Sequence, residues 1–300
     1  VSGGQDSMAT LGLLHGLMAQ HHWTLLVWHG NHQWHEGSAS TAQELKDWCT
    51  TKGLKVFVDH ASDDLKQSEA AARQWRYAQL SQTASAVGAD VITGHTASDR
   101  AETILIQMAR GTNLKGLATL REQRPLNDEQ PAGCQLRRPM LLFDRDETMQ
   151  ICNDLKLPVW LDPTNAKKTF TRNKIRHEII PILENLYPGC SKRISAMAER
   201  LSTTEQSQQE LVNLCLADQL EQNRPLLEIL REATPQTRTI LVKNWLEQQG
   251  IHNTKASLIQ QLSHRLGSTN APGCQHFSNG WKVCWKQSHL YAVKKNQTGA

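Results

Sequence analysis

The sequence predicts an α/β chain, in which a parallel sheet wrapped by helices is followed by a second, mainly helical domain ending in a small β-hairpin. Three observations predict it. Short apolar runs ending in histidine alternate with longer runs of helical spacing through the first half, the alternation weakens from about Leu136, and strand-like patterning returns around Asn279-Gly280. At 300 residues the chain has room for two domains, because single cores stop growing at about 250 to 300 residues. The expected division is 1–185 and 186–300.

In order, WTLLVWH (Trp23 to His29), LKVFVDH (Leu54 to His60) and ADVITGH (Ala89 to His95) read as buried strands, rich in Val, Ile or aromatics. Helical spacing fills Met8 to Ala19, Ala39 to Lys52 and Ser68 to Val87. Parallel sheets built this way bind ligands at the carboxyl ends of their strands, so His29, His60, His95 and Ser2 to Ser7 are expected on one edge. RRPMLL is a candidate last strand, and DRDE reads as a capping box, with Asp144 as cap and Glu147 reaching back, that opens a helix to about Leu155. A connection punctuated by Pro158 and Pro163 follows. After Arg172 the pattern is helical to about Arg265, with breaks near Pro188-Gly189 and Pro225. Gln275 to Ser278, the turn, WKVCW and LYAV close the chain as a hairpin or meander.

Composition excludes several classes. No run of 18 apolar residues occurs, the mean hydropathy is −0.52, and the N-terminus lacks the regions of a signal peptide, so a soluble, cytoplasmic protein with no membrane partner is expected. Seven scattered cysteines with no CxxC argue against a disulfide framework, a zinc ribbon or an iron–sulfur site. Cys274 and Cys284 flank the hairpin, where packing is the plainer role. The net charge of +4 is uneven, with eight Lys/Arg against three Glu between residues 163 and 200. Such a patch suits a polyanion or makes a solvated helical face.

The chain opens VSGGQDS. Glycine at a strand-to-helix turn lets a ligand approach the backbone, and a helix beginning there presents unpaired N–H groups that favour phosphate. Ser2 and Ser7 can donate hydroxyls and Asp6 can help position Mg²⁺; the alternative is an ordinary turn capped by Ser2 or Asp6. Neither GxxxxGK[ST] nor GxGxxG is present. SGGQDS resembles the PP-loop, SGGxDS, of ATP pyrophosphatases, which cleave ATP between its α and β phosphates and adenylate an oxygen of the substrate. The resemblance implies an adenine nucleotide alpha hydrolase-like fold, ATP and Mg²⁺, with Ser2, Gly3, Gly4, Gln5, Asp6, Ser7 and His29 around the nucleotide. Only Val1 precedes the motif, so a short N-terminal strand is expected to be missing.

TGHTASDRAET (Thr93 to Thr103), RGTNLKGL (Arg110 to Leu117), RRPML (Arg137 to Leu141) and WLDPTNAKKTFTRNKIRHEIIPIL (Trp160 to Leu183) follow in order. With SGGQDS they resemble the tRNA(Ile)-lysidine synthetase family over roughly residues 1 to 200. The resemblance implies that ATP adenylates the C2 oxygen of the wobble cytidine in an isoleucine tRNA with a CAU anticodon, and that free L-lysine then displaces AMP. It leaves a homodimer open.

Asp99 and Glu102, at i and i+3, share a helix face. They can hold Mg²⁺ or the amino groups of lysine; alternatively Asp99 is only the partner of a Thr96 cap and Glu102 is solvated. The resemblance makes His95, Asp99 and Glu102 the catalytic or lysine-binding set, with Asp6 at the nucleotide. Free lysine has a pKa of about 10.4, so a carboxylate, Asp99 or Glu102, is the expected proton acceptor. EAAARQWRYAQL (Glu69 to Leu80) is similar to the family's ARxxRY helix, in which Arg73 and Arg76 either stabilise phosphate charge or face solvent. Arg172, Asn173, Lys174 and Arg176 are the expected tRNA-binding set, helped by Lys167, Lys168, Lys192 and Arg193, while Ile175, Ile179 and Ile182 pack on another face.

The chain departs from the family pattern in HGNHQWHEGS, where Gln33 replaces a glycine and His35 stands where arginine is expected, and at Ser98, which replaces an aspartate. Trp23, Trp28 and Trp48 fall on apolar faces and read as core, while Trp34, Trp281 and Trp285 are open between core and base stacking. Two alternatives stand beside the synthetase. A tRNA thiolase needs cysteines near its site, and an inactive RNA-binding relative gives no tRNA-dependent pyrophosphate.

Overall fold

The computed structural model describes residues 1–34, 36–62, 64–66, 68–127, 133–160, 171–221, 226–268, 271–287 and 289–294. His35, Pro163, Lys167, Lys168 and the break expected at Pro225 lie outside them. The chain divides into two compact units, Val1–Glu205 and Gln206–Ala300.

In the first unit the opening loop enters α1 (Gln5–Leu17) at once. β1 (Leu26–Asn31) runs parallel to β2 (Lys55–His60), with Leu26 opposite Lys55, and α2 (Ser38–Thr51) crosses between them. α3 (Glu69–Val87) is capped by the Ser68 hydroxyl and stops at Gly88 in the left-handed conformation. β3 (Val91–Ile92) leads through a short connection to α4 (Ala97–Arg110) and α5 (Leu114–Leu117). β4 (Gln123–Pro125) is antiparallel, and β3 parallel, to β5 (Gln135–Arg137). Parallel pairing is thus present in two separate sheets among the described residues, β1-β2 and β3-β5-β4.

Two strand expectations are corrected. The run from Ala89 to His95 pairs only at Val91–Ile92, because Gly94 and His95 turn away into the site described below. RRPMLL is a strand only to Arg137; Pro139, which has no N–H to give a ladder, opens a 3-10 turn over Pro139–Leu142. The Asp144 capping box is present and opens α6 (Arg145–Asp154). α7 (Thr171–Lys174), a π-helical stretch Ile175–Ile179 and α8 (Ile180–Leu186) precede α9 (Cys190–Glu221), which runs through the division point.

Met8, Leu11, Val27, Leu45, Leu54, Met140 and Cys152 form the main core of this unit, pinning α1, α2 and α6 to the β1-β2 sheet. Each fully buried aliphatic side chain of this kind contributes about 1.5 to 3 kcal/mol. A smaller cluster of Ala84, Val91, Leu126 and Leu136 seats α3 on the other sheet. Trp23 is a correction: it is 42% exposed and stacks on His21. Trp48 packs against the main core. Ile179 and Ile182 are also exposed rather than packed.

The second unit holds α10 (Leu226–Glu232), α11 (Pro235–Gln248) and α12 (Ala256–Ser268). Its core joins Leu227, Leu230, Val242, Leu246, Leu262 and Leu266 to Val283 and Trp285 of the closing strands. Buried Arg238 donates to the carbonyls of Leu230, Arg231 and Ala233, closing the end of α10. The C-terminus is a three-stranded antiparallel meander of β6 (Gly273–His276), β7 (Trp281–Lys286) and β8 (His289–Lys294). Trp281 and Trp285 both pack into this core. No helix among the described residues is long and apolar enough to cross a membrane.

Candidate active site

The opening loop reaches α1 with little side chain in the way. Gly3 sits at φ +87°, a conformation that side-chain-bearing residues rarely adopt. Gly4 is the N-cap of α1, and no side chain caps the helix, so neither Ser2 nor Asp6 serves as the cap. Instead the Ser7 hydroxyl donates to the Gly4 carbonyl at 2.8 Å and lies 3.1 Å from the Ser2 hydroxyl. Gly4, Gln5, Asp6 and Ser7 of the first turn line a cavity at the positive end of the helix dipole, an arrangement suited to phosphate.

The next side chains turn the other way and fasten the loop to α6. Gln5 Nε2 donates to the Arg145 carbonyl at 2.7 Å and to the Thr148 hydroxyl at 3.1 Å. Asp6 accepts from the Thr148 hydroxyl at 2.6 Å and from Arg145 Nη1 at 3.0 Å. Burial raises the Asp6 pKa, and the Arg145 charge works against that rise. Sequence reasoning missed Arg145 and Thr148, because only their place in a capped helix is visible in DRDE. A Cβ on Gly94 would stand 2.6 Å from the Asp6 carbonyl oxygen, so the exit of β3 lies this close to α1 only as glycine.

A second cluster forms at the start of α4. Thr96 caps the helix and Asp99 closes the box, its Oδ2 accepting from the Thr96 amide at 2.9 Å. The other carboxylate oxygen, Oδ1, accepts from Nη2 of both Arg172 and Arg176 at 3.2 Å. Glu102, 1% exposed, accepts from Arg172 Nε at 2.8 Å and from Arg176 Nε and Nη2 at 2.6 and 2.9 Å. Asp99 is therefore both cap partner and ion-pair partner, and the solvated reading of Glu102 is excluded. Burial pushes the Asp99 pKa up, but Arg172, His95, the Thr96 amide and Arg176 together hold it below the usual range. Arg172 and Arg176 themselves are held more firmly protonated.

In the structure Arg172 and Arg176 are thus paired with carboxylates. They are about four-fifths buried, on carboxylates expected to hold lysine. The π-helical stretch Ile175–Ile179 carries Arg176 itself and follows the turn that carries Arg172; such stretches concentrate at functional sites. Asn173 is buried and Lys174 is exposed. Lys192 is paired with Glu147 and Asp144, and Arg193 with the carbonyls of Tyr187 and Pro188.

His95 lies between the two clusters, its Nδ1 2.9 Å from the Thr93 hydroxyl. Burial and the charges of Arg138, Arg172 and Arg73 drive its pKa far down against the pull of Asp99, so the ring is neutral. On the neighbouring wall the Arg73 guanidinium stands 4.8 Å and that of Arg124 5.5 Å from the Tyr77 ring centroid, and buried Arg138 hydrogen-bonds the same tyrosine. Among the described residues neither Arg73 nor Arg138 has a carboxylate partner.

One cavity of about 1360 Å³ in the first unit joins these parts. It is lined by Ser2, Gly4, Gln5, Asp6, Ser7, His29, Arg73, Arg76, His95, Asp99, Arg172, Asn173 and Arg176. Glu102 and Lys174 lie outside its lining, as does Gly3. His60 does too; it is the exposed last residue of β2. His29 is a buried mid-strand residue whose Nδ1 meets the Val1 carbonyl oxygen at 2.8 Å. Trp28 and Trp34 also line the cavity, and no cysteine does among the described residues.

The comparisons with known proteins give the family. The family model described as the PP-loop domain matches residues 1–183. The tRNA(Ile)-lysidine synthase of Parasynechococcus marenigrum (strain WH8102) is 49% identical over 290 residues, which cover 97% of this chain and 86% of that protein. The chain belongs to the tRNA(Ile)-lysidine synthase family. The synthase of Prochlorococcus marinus (strain NATL1A) is 38% identical over 305 residues, covering 98% of this chain and 92% of its own. A solved structure, the U34-tRNA thiolase NcsA from Methanococcus maripaludis with its 4Fe–4S cluster, superposes with a TM-score of 0.57 at 20% identity, covering 68% of this chain and 71% of that one. That likeness is one of fold alone.

As a lysidine synthase family member, the chain carries its Gln33 departure in a telling way. Gln33 takes φ +58°, the left-handed region in which glycine is at ease. Its amide donates to Asn31 Oδ1 at 2.8 Å and its Nε2 to the Ala61 carbonyl at 3.0 Å, which hold the strained residue in place. Nothing in the structure explains Ser98.

Proposed function

We propose that this chain catalyses the lysidine synthase reaction in one cavity. ATP adenylates the C2 oxygen of the wobble cytidine of an isoleucine tRNA with a CAU anticodon, releasing pyrophosphate, and free L-lysine then displaces AMP. The observation that carries the reading is the meeting, in a chain of this family, of the uncapped Ser2–Ser7 loop and the Asp99 carboxylate on one cavity, with Glu102 joined to Asp99 through Arg172 and Arg176.

In this reading the first-turn amides of α1 and the hydroxyls of Ser2 and Ser7 hold the phosphates. Arg73 and Arg76 offset the charge that grows as pyrophosphate leaves. A Mg²⁺ ion at Asp6 would share carboxylate oxygens that each accept one hydrogen bond, from Arg145 and from Thr148, and no step is assigned to it. Neutral His95 orients the base or relays a proton.

Lysine must lose a proton to attack, and Asp99, with its pKa held low by arginines, is a weak acceptor as it stands. The phosphates of the bound tRNA compete for Arg172 and Arg176. Drawing Arg176 away frees Glu102 Oε1 for the lysine ammonium, and loss of either arginine raises the basicity of Asp99. RNA binding thereby opens the lysine site, and the two roles assigned to the arginines become successive.

The test is incorporation of labelled lysine into an isoleucine tRNA transcript with cytidine at the wobble position. Incorporation at that base supports the reading; none with ATP, lysine and folded transcript present rejects it. The thiolase alternative has no support in the cavity, which lacks cysteine among its lining residues.

A further inference from the structure

In the C-terminal meander, β6 and β7 pair antiparallel with Cys274 directly opposite Cys284. Directly opposed residues have Cβ atoms about 4.5 to 5.5 Å apart and Cα atoms at about 4.5 or 5.5 Å. A disulfide takes Cα separations of about 4.4 to 6.8 Å and draws the Cβ atoms in to about 3.5 to 4.5 Å. The register alone therefore brings the two residues within a small adjustment of bonding, and the sulfur atoms lie 2.7 Å apart. The other cysteines whose burial is described are placed differently. Cys49, Cys152 and Cys190 are buried thiols of the first unit, Cys134 is a part-buried thiol of the same unit, and Cys152 donates to the Gln5 carbonyl.

We propose that Cys274 and Cys284 are a thiol–disulfide modification site, closed by a low-molecular-weight disulfide of the glutathione class. Cys274 is exposed and Cys284 is buried, which sets the order of events. The Cys274 thiolate attacks one sulfur of the small disulfide; a mixed disulfide forms and one small thiol leaves. Cys284, after losing its proton to solvent, attacks the Cys274 sulfur; the cross-strand bond forms and the second small thiol leaves. Two protein thiols are oxidised and one small disulfide is reduced to two thiols, so atoms and electrons balance. Lys282, on the same strand, favours the Cys284 thiolate, whereas burial and the neighbouring sulfur oppose it.

The bond would staple β6 to β7 where Gly273 lies under the Trp285 ring and Gln275 Nε2 holds the Leu258 carbonyl at 2.8 Å. It forms in a unit that contains none of the cavity residues, so the site is independent of the assignment of function.

The test equilibrates the full chain with graded ratios of oxidised to reduced glutathione, then blocks the remaining thiols and maps them by mass spectrometry. The proposal expects loss of two hydrogens, one crosslinked peptide pair containing 274 and 284, and reversal by reductant. Cys49, Cys152 and Cys190 should stay available to alkylation after unfolding. Cys284→Ser should stop at a glutathione adduct on Cys274, and Cys274→Ser should form neither adduct nor crosslink. The proposal is overturned if both thiols remain alkylatable at every ratio, if Cys274 stops at the adduct in the unsubstituted chain, or if it pairs elsewhere.

Discussion

Arg176 Nε donates to Glu102 Oε1 at 2.6 Å, so an arginine expected to meet RNA holds a carboxylate expected to meet lysine. Removing one partner of such a buried pair leaves the other charge uncompensated, at a cost of about 3 kcal/mol. Glu102→Gln should lower unfolding stability by an amount of that order in a denaturant titration. Arg176→Gln should weaken tRNA binding, yet allow lysine binding without tRNA, where the unsubstituted chain shows little. Calorimetry of lysine binding with and without transcript separates the two effects.

Thr148 holds the carboxylate of the nucleotide loop through its hydroxyl, 2.6 Å from Asp6. Hydrogen bonds to charged groups are worth about 1.5 to 3 kcal/mol. Thr148→Val keeps the shape and removes that bond; the KM for ATP should rise about tenfold or more while the far-ultraviolet spectrum stays native. Steady-state kinetics at saturating tRNA reads it.

Gly94 is set against the Asp6 carbonyl, where a methyl group would sit 2.6 Å from backbone oxygen. Gly94→Ala must push α1 away from β3, at an overpacking cost of about 1 to 3 kcal/mol. Pyrophosphate release should fall by more than tRNA binding does, since the loop moves and the basic wall stays. Equal losses in both would argue against the role given to this contact.

The burial that keeps His95 and His29 neutral sets a pH dependence. Each has a folded pKa below its unfolded value of about 6.5, so in acid the unfolded chain takes up protons that the folded chain refuses. Their stabilisation is complete above about pH 6.5 and declines as pH falls toward the folded values. For His95, lowered to about 3, the loss between about pH 7 and about pH 5 reaches about 2 kcal/mol. His95→Gln should flatten that part of the stability profile, as read by urea midpoints across the range.

Arg73 belongs to a cationic wall with Arg138 and without a carboxylate partner among the described residues, and it lines the cavity. If it offsets the charge of the leaving pyrophosphate, Arg73→Gln should slow pyrophosphate release at saturating ATP and tRNA by about a hundredfold, with tRNA affinity little changed. An unchanged rate would return Arg73 to a packing role against Tyr77.

Much of this was legible in the sequence, and the limits are physical. The bare Ser2–Ser7 loop, the Thr96–Asp99 and Asp144–Glu147 boxes and the alternation of β1, α2, β2 and α3 are local signals, and the structure carries each of them. What was not legible depends on distant pairings. Arg145 reaches Asp6 across 139 positions and Arg176 reaches Glu102 across 74, and no spacing within one helix encodes such partners. Trp23 looked like core because its neighbours are apolar, but β1 begins only at Leu26, which leaves Trp23 outside the sheet. The same loss of local pattern hid the end of the β5 strand, where the proline after Arg138 ends the ladder.

The most direct test of the central claim is pyrophosphate release from ATP with isoleucine tRNA transcripts bearing cytidine or uridine at the wobble position, each with and without lysine. The account predicts lysine-independent release of about one equivalent with the cytidine transcript, continued turnover only when lysine is added, and neither with uridine. Release that ignores the wobble base, or turnover without lysine, would contradict it.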